Sequence, residues 1–127
     1  MTTFAGLPTG CPKCVAGVTD CNDTVYRVTK GNPPKADDML SYAERGITLR
    51  YPTTTGICKS HGLSVYTDRR DAEHAVTMVP AGGGTYIATA SLSVNDGVIA
   101  HTPPKSNPDS HHTWWPYASV NRSSLFK

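Results

Sequence analysis

The cysteines are the residues whose types and spacing most clearly indicate chemistry. Two of them form a Cys-x-x-Cys pair, and a cysteine and a histidine share the same spacing later in the chain. Such a pair places two ligands on one tight loop, from which both can reach a tetrahedral Zn²⁺ ion. We therefore expect a structural zinc ion that orders the N-terminal loop. Five candidates compete for the four positions: Cys11, Cys14, Cys21, Cys58 and His61.

Free thiols and disulfides are the alternatives to zinc at these positions. Disulfides are disfavoured because the chain begins with Met1 and lacks a basic and apolar leader, which predicts a cytoplasmic protein. Redox chemistry at the Cys-x-x-Cys pair is the weakest alternative, since no βαβ pattern flanks it. No apolar run approaches the roughly 20 residues of a transmembrane helix, so we expect no membrane partner.

A second group of chemically versatile residues lies near the C-terminus, where paired histidines precede paired tryptophans. In a functional interpretation, His111 or His112 acts as a general acid or base and Trp114 stacks on a nicotinamide or another base. In a structural interpretation, the two indoles anchor this segment on a sheet, because each buries a large apolar area. Adjacent histidines on a strand would point to opposite sides of the sheet.

Composition limits the function classes further. The chain has 127 residues, and its 12 Lys and Arg against 10 Asp and Glu leave a formal charge of +2. That charge is too small to favour nucleic acid as a partner. The length suits one domain. We divide it into a Cys-rich loop segment (1–23), an α+β core (24–102) and an irregular tail (103–127).

The elements that must position these residues follow from periodicity and turn signals. Alternation and β-branched residues predict strands over 24–29, 47–51, 62–67, 86–92 and 98–101. Short helices are predicted over 39–45 and after the N-cap Asp68, and the sequence Asn95-Asp96-Gly97 predicts a hairpin. A turn is predicted over 52–56. These elements indicate a single α+β domain with a mixed or antiparallel sheet of about five strands and two short helices.

The order of features over residues 24–93 resembles the opening of ADP-ribosyltransferase toxins, in which a first strand carries an arginine and a later strand carries Ser or Thr before a helix. The resemblance implies that NAD or an ADP-ribose-containing ligand is bound. It implies that Arg27 contacts the dinucleotide and that Ser64 or Thr67 lines the nicotinamide pocket. His111, His112 and Trp114 would then complete the site.

The chain departs from that family at one point. The transferases need a late catalytic glutamate, and this sequence has no Glu after Glu73. Two functional hypotheses therefore stand side by side. One is an ADP-ribosyltransferase-like domain that binds NAD, and the other is a zinc-stabilised module that recognises a protein partner through its Trp-rich tail.

Overall fold

An antiparallel sheet flanked by short helices forms the fold, in a computed structural model that describes residues 3–49, 52–78, 84–105 and 108–127. The predicted α+β class is confirmed. The described strands are β1 (Thr19–Asp20), β2 (Thr24–Thr29), β3 (Leu63–Tyr66), β4 (Tyr86–Ser91), β5 (Gly97–His101) and β6 (His111–Pro116). The described helices are α1 (Thr54–Ser60), α2 (Arg69–Met78) and α3 (Arg122–Leu125), with 3₁₀ turns at Ala36–Met39 and Val94–Asp96.

The strands lie in the order β1-β5-β6-β3-β2-β4, and every pair is antiparallel. Strand β3 therefore occupies the middle of the sheet between β6 and β2. It pairs with β6 along its whole length, with Ser64 opposite Thr113, but with β2 at the single position Tyr26↔Tyr66. The two strands β2 and β6 thus meet on either side of β3, although they lie far apart in the chain.

Alternate side chains of β6 serve opposite faces of the sheet, as the period of a strand requires. Trp114 packs in the main core with Leu63 and Ile99, where its ring lies 5.8 Å from that of Phe126. Trp115 packs on the other face in a smaller cluster with the N-terminal loop and α1. Both indoles are fully buried and donate to backbone carbonyls, so the tryptophans anchor this segment on the sheet.

The helix predicted after Asp68 is confirmed as α2. At its N-terminus the Asp68 carboxylate accepts a hydrogen bond from the Arg70 backbone N–H at 2.9 Å. The turn predicted over 52–56 is wrong, because α1 begins there. Its N-cap is Thr53, whose hydroxyl accepts from the Gly56 N–H at 3.0 Å. In place of the helix predicted over 39–45, the chain forms the 3₁₀ turn at Ala36–Met39 and turns over 42–46.

Predictions for three other parts of the chain are also wrong. The expected hairpin around Asn95 does not form, because β4 pairs with β2 whereas β5 pairs with β1 and β6. The tail expected to be irregular contains β6, an internal strand, and α3. The strand predicted over 47–51 does not form at residues 47–49, and its positions 50 and 51 lie outside the described residues. Positions 79–83 also lie outside them.

Candidate ligand-binding groove

A groove of about 1200 Å³ opens on the face of the sheet that carries His111 and Thr113. Its floor includes Ser64 and Tyr66 of β3. Its walls come from α1, from α2 and from the segment 37–49. Ligand sites for small molecules and cofactors commonly have volumes of roughly 300–1,000 Å³, so this groove is large enough for a dinucleotide.

Arg27 reaches the groove from β2 and is fixed by two backbone carbonyls. Its Nε donates to the Asp38 carbonyl at 3.0 Å and its Nη1 donates to the Ser64 carbonyl at 2.8 Å. The guanidinium therefore bridges β2 and β3 where their backbone pairing is sparse. Burial lowers the pKa of Arg27 to about 10, against the opposing charge of Asp38. The side chain stays cationic at neutral pH, held in one position at the edge of the groove.

Asp38 organises the loop that holds Arg27. Its carboxylate accepts backbone hydrogen bonds from Lys30, Gly31 and Lys35, at 2.8, 3.1 and 3.0 Å. Burial opposes ionisation of this carboxyl, but the three hydrogen bonds and the charge of Arg27 hold its pKa below the ordinary value. The ionised carboxylate of Asp38 is therefore hydrogen-bonded within its own loop, and it is the backbone carbonyl of Asp38 that accepts from Arg27.

Ser64 and His111 form a hydrogen-bonded pair on the floor of the groove. His111 Nε2 lies 3.0 Å from Ser64 Oγ, and His111 Nδ1 lies 2.8 Å from the Thr102 carbonyl oxygen. A carbonyl oxygen only accepts, so Nδ1 carries the proton and Nε2 accepts from the Ser64 hydroxyl. The imidazole lies nearly perpendicular to the ring of Tyr66, with ring centroids 5.5 Å apart.

The protonation state of His111 follows from its surroundings. Burial lowers its pKa below the ordinary value, and His112 and Lys59 act in the same direction. The hydrogen bond to Thr102 and the charge of Asp109 oppose that change. Neutral imidazole therefore prevails near pH 7, with a basic nitrogen directed at an exposed serine hydroxyl.

The charges around the groove favour an anion. Its described lining residues include four cationic side chains and two carboxylates. One of the carboxylates, that of Asp38, already accepts hydrogen bonds from the backbone of its own loop. Two aromatic rings, those of Tyr42 and Tyr66, add flat apolar surface. The charged lining residues are Arg27, Lys30, Arg45, Lys59, Asp37 and Asp38.

Three other residues predicted for the site lie elsewhere. Thr67 follows the end of β3, and its backbone N–H donates to the Ser110 carbonyl at 3.3 Å. His112 projects from the face opposite His111, with its ring 4.8 Å from that of His101. Trp114 is fully buried in the main core. The groove thus brings together Arg27, Ser64 and His111 of the predicted set.

The zinc site expected of the cysteines and His61 is not supported. Cys11 and Cys58 are joined in a disulfide, so their sulfurs are bonded to each other instead of being free thiolates. Cys21 lies in the main core, where burial raises the pKa of its thiol to about 12, whereas Cys14 is exposed. His61 is the C-cap of α1. Among the described residues, no group of three or more potential ligands converges.

The partners that orient the groove residues are mostly backbone groups. The carbonyls of Thr102 and Asp38 hold His111 and Arg27, and a backbone carbonyl has no signature in the residue types. Lys59 lies in the second half of α1, for which the sequence predicts no helix.

Two further findings concern the chain as a whole. Within the part of the chain that the structure describes, no helix has both the length and the apolar composition needed to cross a membrane. Comparisons with protein-family models, with curated proteins and with solved structures find no match for this chain.

Proposed function

We propose that the groove binds NAD or another ADP-ribose-containing ligand. The observation that carries the proposal is the convergence of Arg27, Ser64 and His111 on one groove from three strands. Two of these, Arg27 and Ser64, are the positions that the resemblance to ADP-ribosyltransferases assigns to the dinucleotide. Their direct contact, from guanidinium to strand carbonyl at 2.8 Å, supports a common role.

The charge of the groove matches a pyrophosphate. A guanidinium has five N–H groups, and the two described contacts of Arg27 use two of them. The others can donate to phosphate oxygens, which a planar fork binds well. Because Asp38 and Ser64 already fix the guanidinium, little side-chain entropy is lost when the anion binds. Tyr42 and Tyr66 offer surfaces on which a nicotinamide or adenine ring can stack.

Binding has more support than transferase turnover. The family's late glutamate has no counterpart after Glu73, and of the two carboxylates that line the described groove, Asp38 is held by backbone N–H groups. His111 lies in the groove as the basic group instead. It is neutral near pH 7, so it can accept a proton, but it cannot stabilise a cationic ribose as a carboxylate does.

The test is a thermal-shift and calorimetric titration with NAD, ADP-ribose and nicotinamide. A ligand at 100 times its Kd stabilises the folded state by about 2.7 kcal/mol, which raises the Tm by several degrees. We expect a shift with NAD and with ADP-ribose. The absence of a shift with all three compounds would reject the proposal.

The matched variants are Arg27→Lys and Arg70→Ala. Lysine keeps the charge but cannot span two carbonyls and a phosphate, so NAD affinity should fall about tenfold or more. Arg70 pairs with Asp68 on an exposed part of α2, and its removal should leave NAD affinity unchanged. Wild-type affinity in Arg27→Lys, with an unchanged melting profile, would remove Arg27 from the site.

A protein partner is the second candidate. The tryptophans that suggested it are buried, so they cannot form the contact surface. Exposed apolar side chains instead occur in two elements that wall the groove, at Ile57 of α1 and, in the segment 37–49, at Leu40, Tyr42 and Ile47. Failure of all nucleotide ligands, combined with capture of a partner that Tyr42→Ser abolishes, would favour this candidate over NAD.

A further inference from the structure

We propose that Ser64 is a nucleophile that accepts the ADP-ribosyl group of NAD, with His111 as its general base. This inference rests on the proposed function, because it takes NAD as the molecule in the groove. It goes beyond binding, since it assigns a covalent step and an acceptor atom.

The geometry meets the requirements for an activated hydroxyl. A nucleophile and its base should lie within about 2.6–3.2 Å of each other, and a third group should orient the base. Ser64 Oγ and His111 Nε2 are 3.0 Å apart, and the Thr102 carbonyl holds the opposite ring nitrogen at 2.8 Å. The Thr102 hydroxyl, 3.0 Å from the same nitrogen, adds a second contact. The ring is thereby fixed in the tautomer that can accept the serine proton.

The other serine and threonine hydroxyls that line the described groove have hydrogen-bond partners elsewhere. Ser60 donates to the Ile57 carbonyl of its own helix at 2.6 Å, and the Ser41 hydroxyl accepts from the Glu44 N–H at 3.2 Å. The hydroxyls of Thr102 and Thr113 lie 2.8 Å from each other. Ser64 differs from these because it is exposed and its hydroxyl faces a ring nitrogen that can take a proton.

The step balances without an additional reactant. Ser64 Oγ forms a bond to the anomeric carbon of the nicotinamide-bearing ribose. The bond from that carbon to the nicotinamide ring nitrogen breaks, and its electron pair stays on the departing, now neutral nicotinamide. The hydroxyl proton passes to His111 Nε2 and from there to solvent. The products are nicotinamide and one ADP-ribosyl group linked through oxygen to Ser64, with no change in oxidation state.

A serine acceptor within the groove also gives a proximity advantage. An acceptor held beside a bound donor reacts as part of one molecule, so it needs no second substrate to bind in the correct orientation. Arg27 contributes to this arrangement, since its guanidinium binds the carbonyl of Ser64 itself. The residue that we expect to bind the pyrophosphate therefore also fixes the backbone of the acceptor.

The experiment incubates the full chain with NAD and follows intact mass, nicotinamide release and the site of modification by peptide mapping. We expect a mass increase of one ADP-ribosyl group, stoichiometric nicotinamide release and a modified peptide that maps to Ser64. Ser64→Ala should form no adduct even at NAD concentrations that calorimetry shows to saturate the variant. His111→Gln, compared likewise at saturating NAD, should form the adduct about 100-fold more slowly.

Ser60→Ala is the matched control, because it removes a hydroxyl from the same groove that has no base beside it. It should form the adduct at the wild-type rate. NAD binding without an adduct, or an adduct on another residue, would overturn the role of Ser64 and leave the proposed function in place. Absence of NAD binding to the wild-type chain would overturn both.

Discussion

At the scale of single residues, the protonation state of His111 decides what the groove can do. Its ring is neutral at pH 7 because burial lowers its pKa, and its proton sits on the nitrogen that faces the Thr102 carbonyl. A protonated ring would donate to Ser64 from the other nitrogen and could no longer act as a base. The burial that keeps His111 neutral, and so able to accept a proton, also makes the stability of the fold depend on pH.

We expect His111 to make the protein less stable in mild acid. Its folded-state pKa lies below the value of about 6.5 in an unfolded chain, so the unfolded chain takes up the proton first. The stabilising contribution is complete above pH 6.5 and is lost as the pH falls through the folded-state pKa. Urea unfolding from pH 8 to pH 5 measures it. The decline should be shallower in His111→Gln, and an identical decline in both proteins would contradict this account.

Residue types predicted part of the groove. Arg27 interrupts an apolar strand and His111 belongs to a segment rich in His and Trp, so their types carry information, whereas Ser64 is indicated only by the resemblance to ADP-ribosyltransferases. Trp114 could have been assigned to the core by the same alternation that separates the two histidines. A residue two positions after His112 shares its face, which is opposite the groove. The carbonyls that orient Arg27 and His111 carry no such signal.

At the scale of elements, α3 is tied to the segment that walls the groove. Arg122 Nη1 donates to the Met39 carbonyl at 2.8 Å, and its two terminal nitrogens bind the Glu44 carboxylate at 2.6 and 3.1 Å. Glu44 also accepts from the Ser41 backbone N–H at 2.9 Å. Burial opposes ionisation of Glu44, but the bonds from Arg122 and Ser41 keep its pKa below the ordinary value.

Removal of the Arg122 side chain should lower the stability of the fold. Arg122→Ala should lower the free energy of unfolding by about 1–2 kcal/mol, because a bidentate charged hydrogen bond is lost and the Met39 carbonyl loses its donor. The difference from wild type should shrink as acid protonates Glu44, and the part due to the Met39 carbonyl should remain. Chemical denaturation at pH 7 and at pH 3 measures both effects. Arg70→Ala, which removes an exposed pair, should leave stability unchanged.

Two elements, α1 and β6, are not predicted by the sequence patterns, for physical reasons that differ between them. The start of α1 resembles a turn in sequence because its Thr and Gly residues are poor helix formers, yet Thr53 uses its hydroxyl as an N-cap. Strand β6 shows no apolar alternation because both its faces are covered in part: Trp114 by the main core and Trp115 by the N-terminal loop. Patterns that assume one buried face fail for such a strand.

At the scale of the whole molecule, the disulfide joins the N-terminal loop to α1. Cys11 and Cys58 are separated by 47 residues, and their bond closes a loop that contains β1, β2 and part of the groove wall. The smaller core cluster surrounds it, with Val15 and Trp115 buried beside Cys58. The bond therefore reinforces the smaller of the two core clusters.

Loss of this bond should destabilise the whole domain. Cys58→Ser, or reduction of the wild-type chain, should lower the free energy of unfolding by about 2–4 kcal/mol, since the unfolded chain regains the entropy that the closed loop removes. Denaturation with and without reductant measures the difference. Cys14→Ser should behave as wild type, because Cys14 is exposed and free. An unchanged stability after verified reduction would contradict the structural role of the bond.

The two edges of the sheet affect whether copies of the chain can associate by pairing their strands. An exposed strand edge presents unpaired backbone groups to which another chain can add, and aggregation begins at such edges. One edge here is β1, which is two residues long; at the other, Thr89 of β4 exchanges two backbone hydrogen bonds with Lys127, at 2.9 and 3.0 Å. Phe126, buried against Trp114, holds Lys127 in that position. The short first edge and the occupied second edge both hinder strand-to-strand association between copies of the chain.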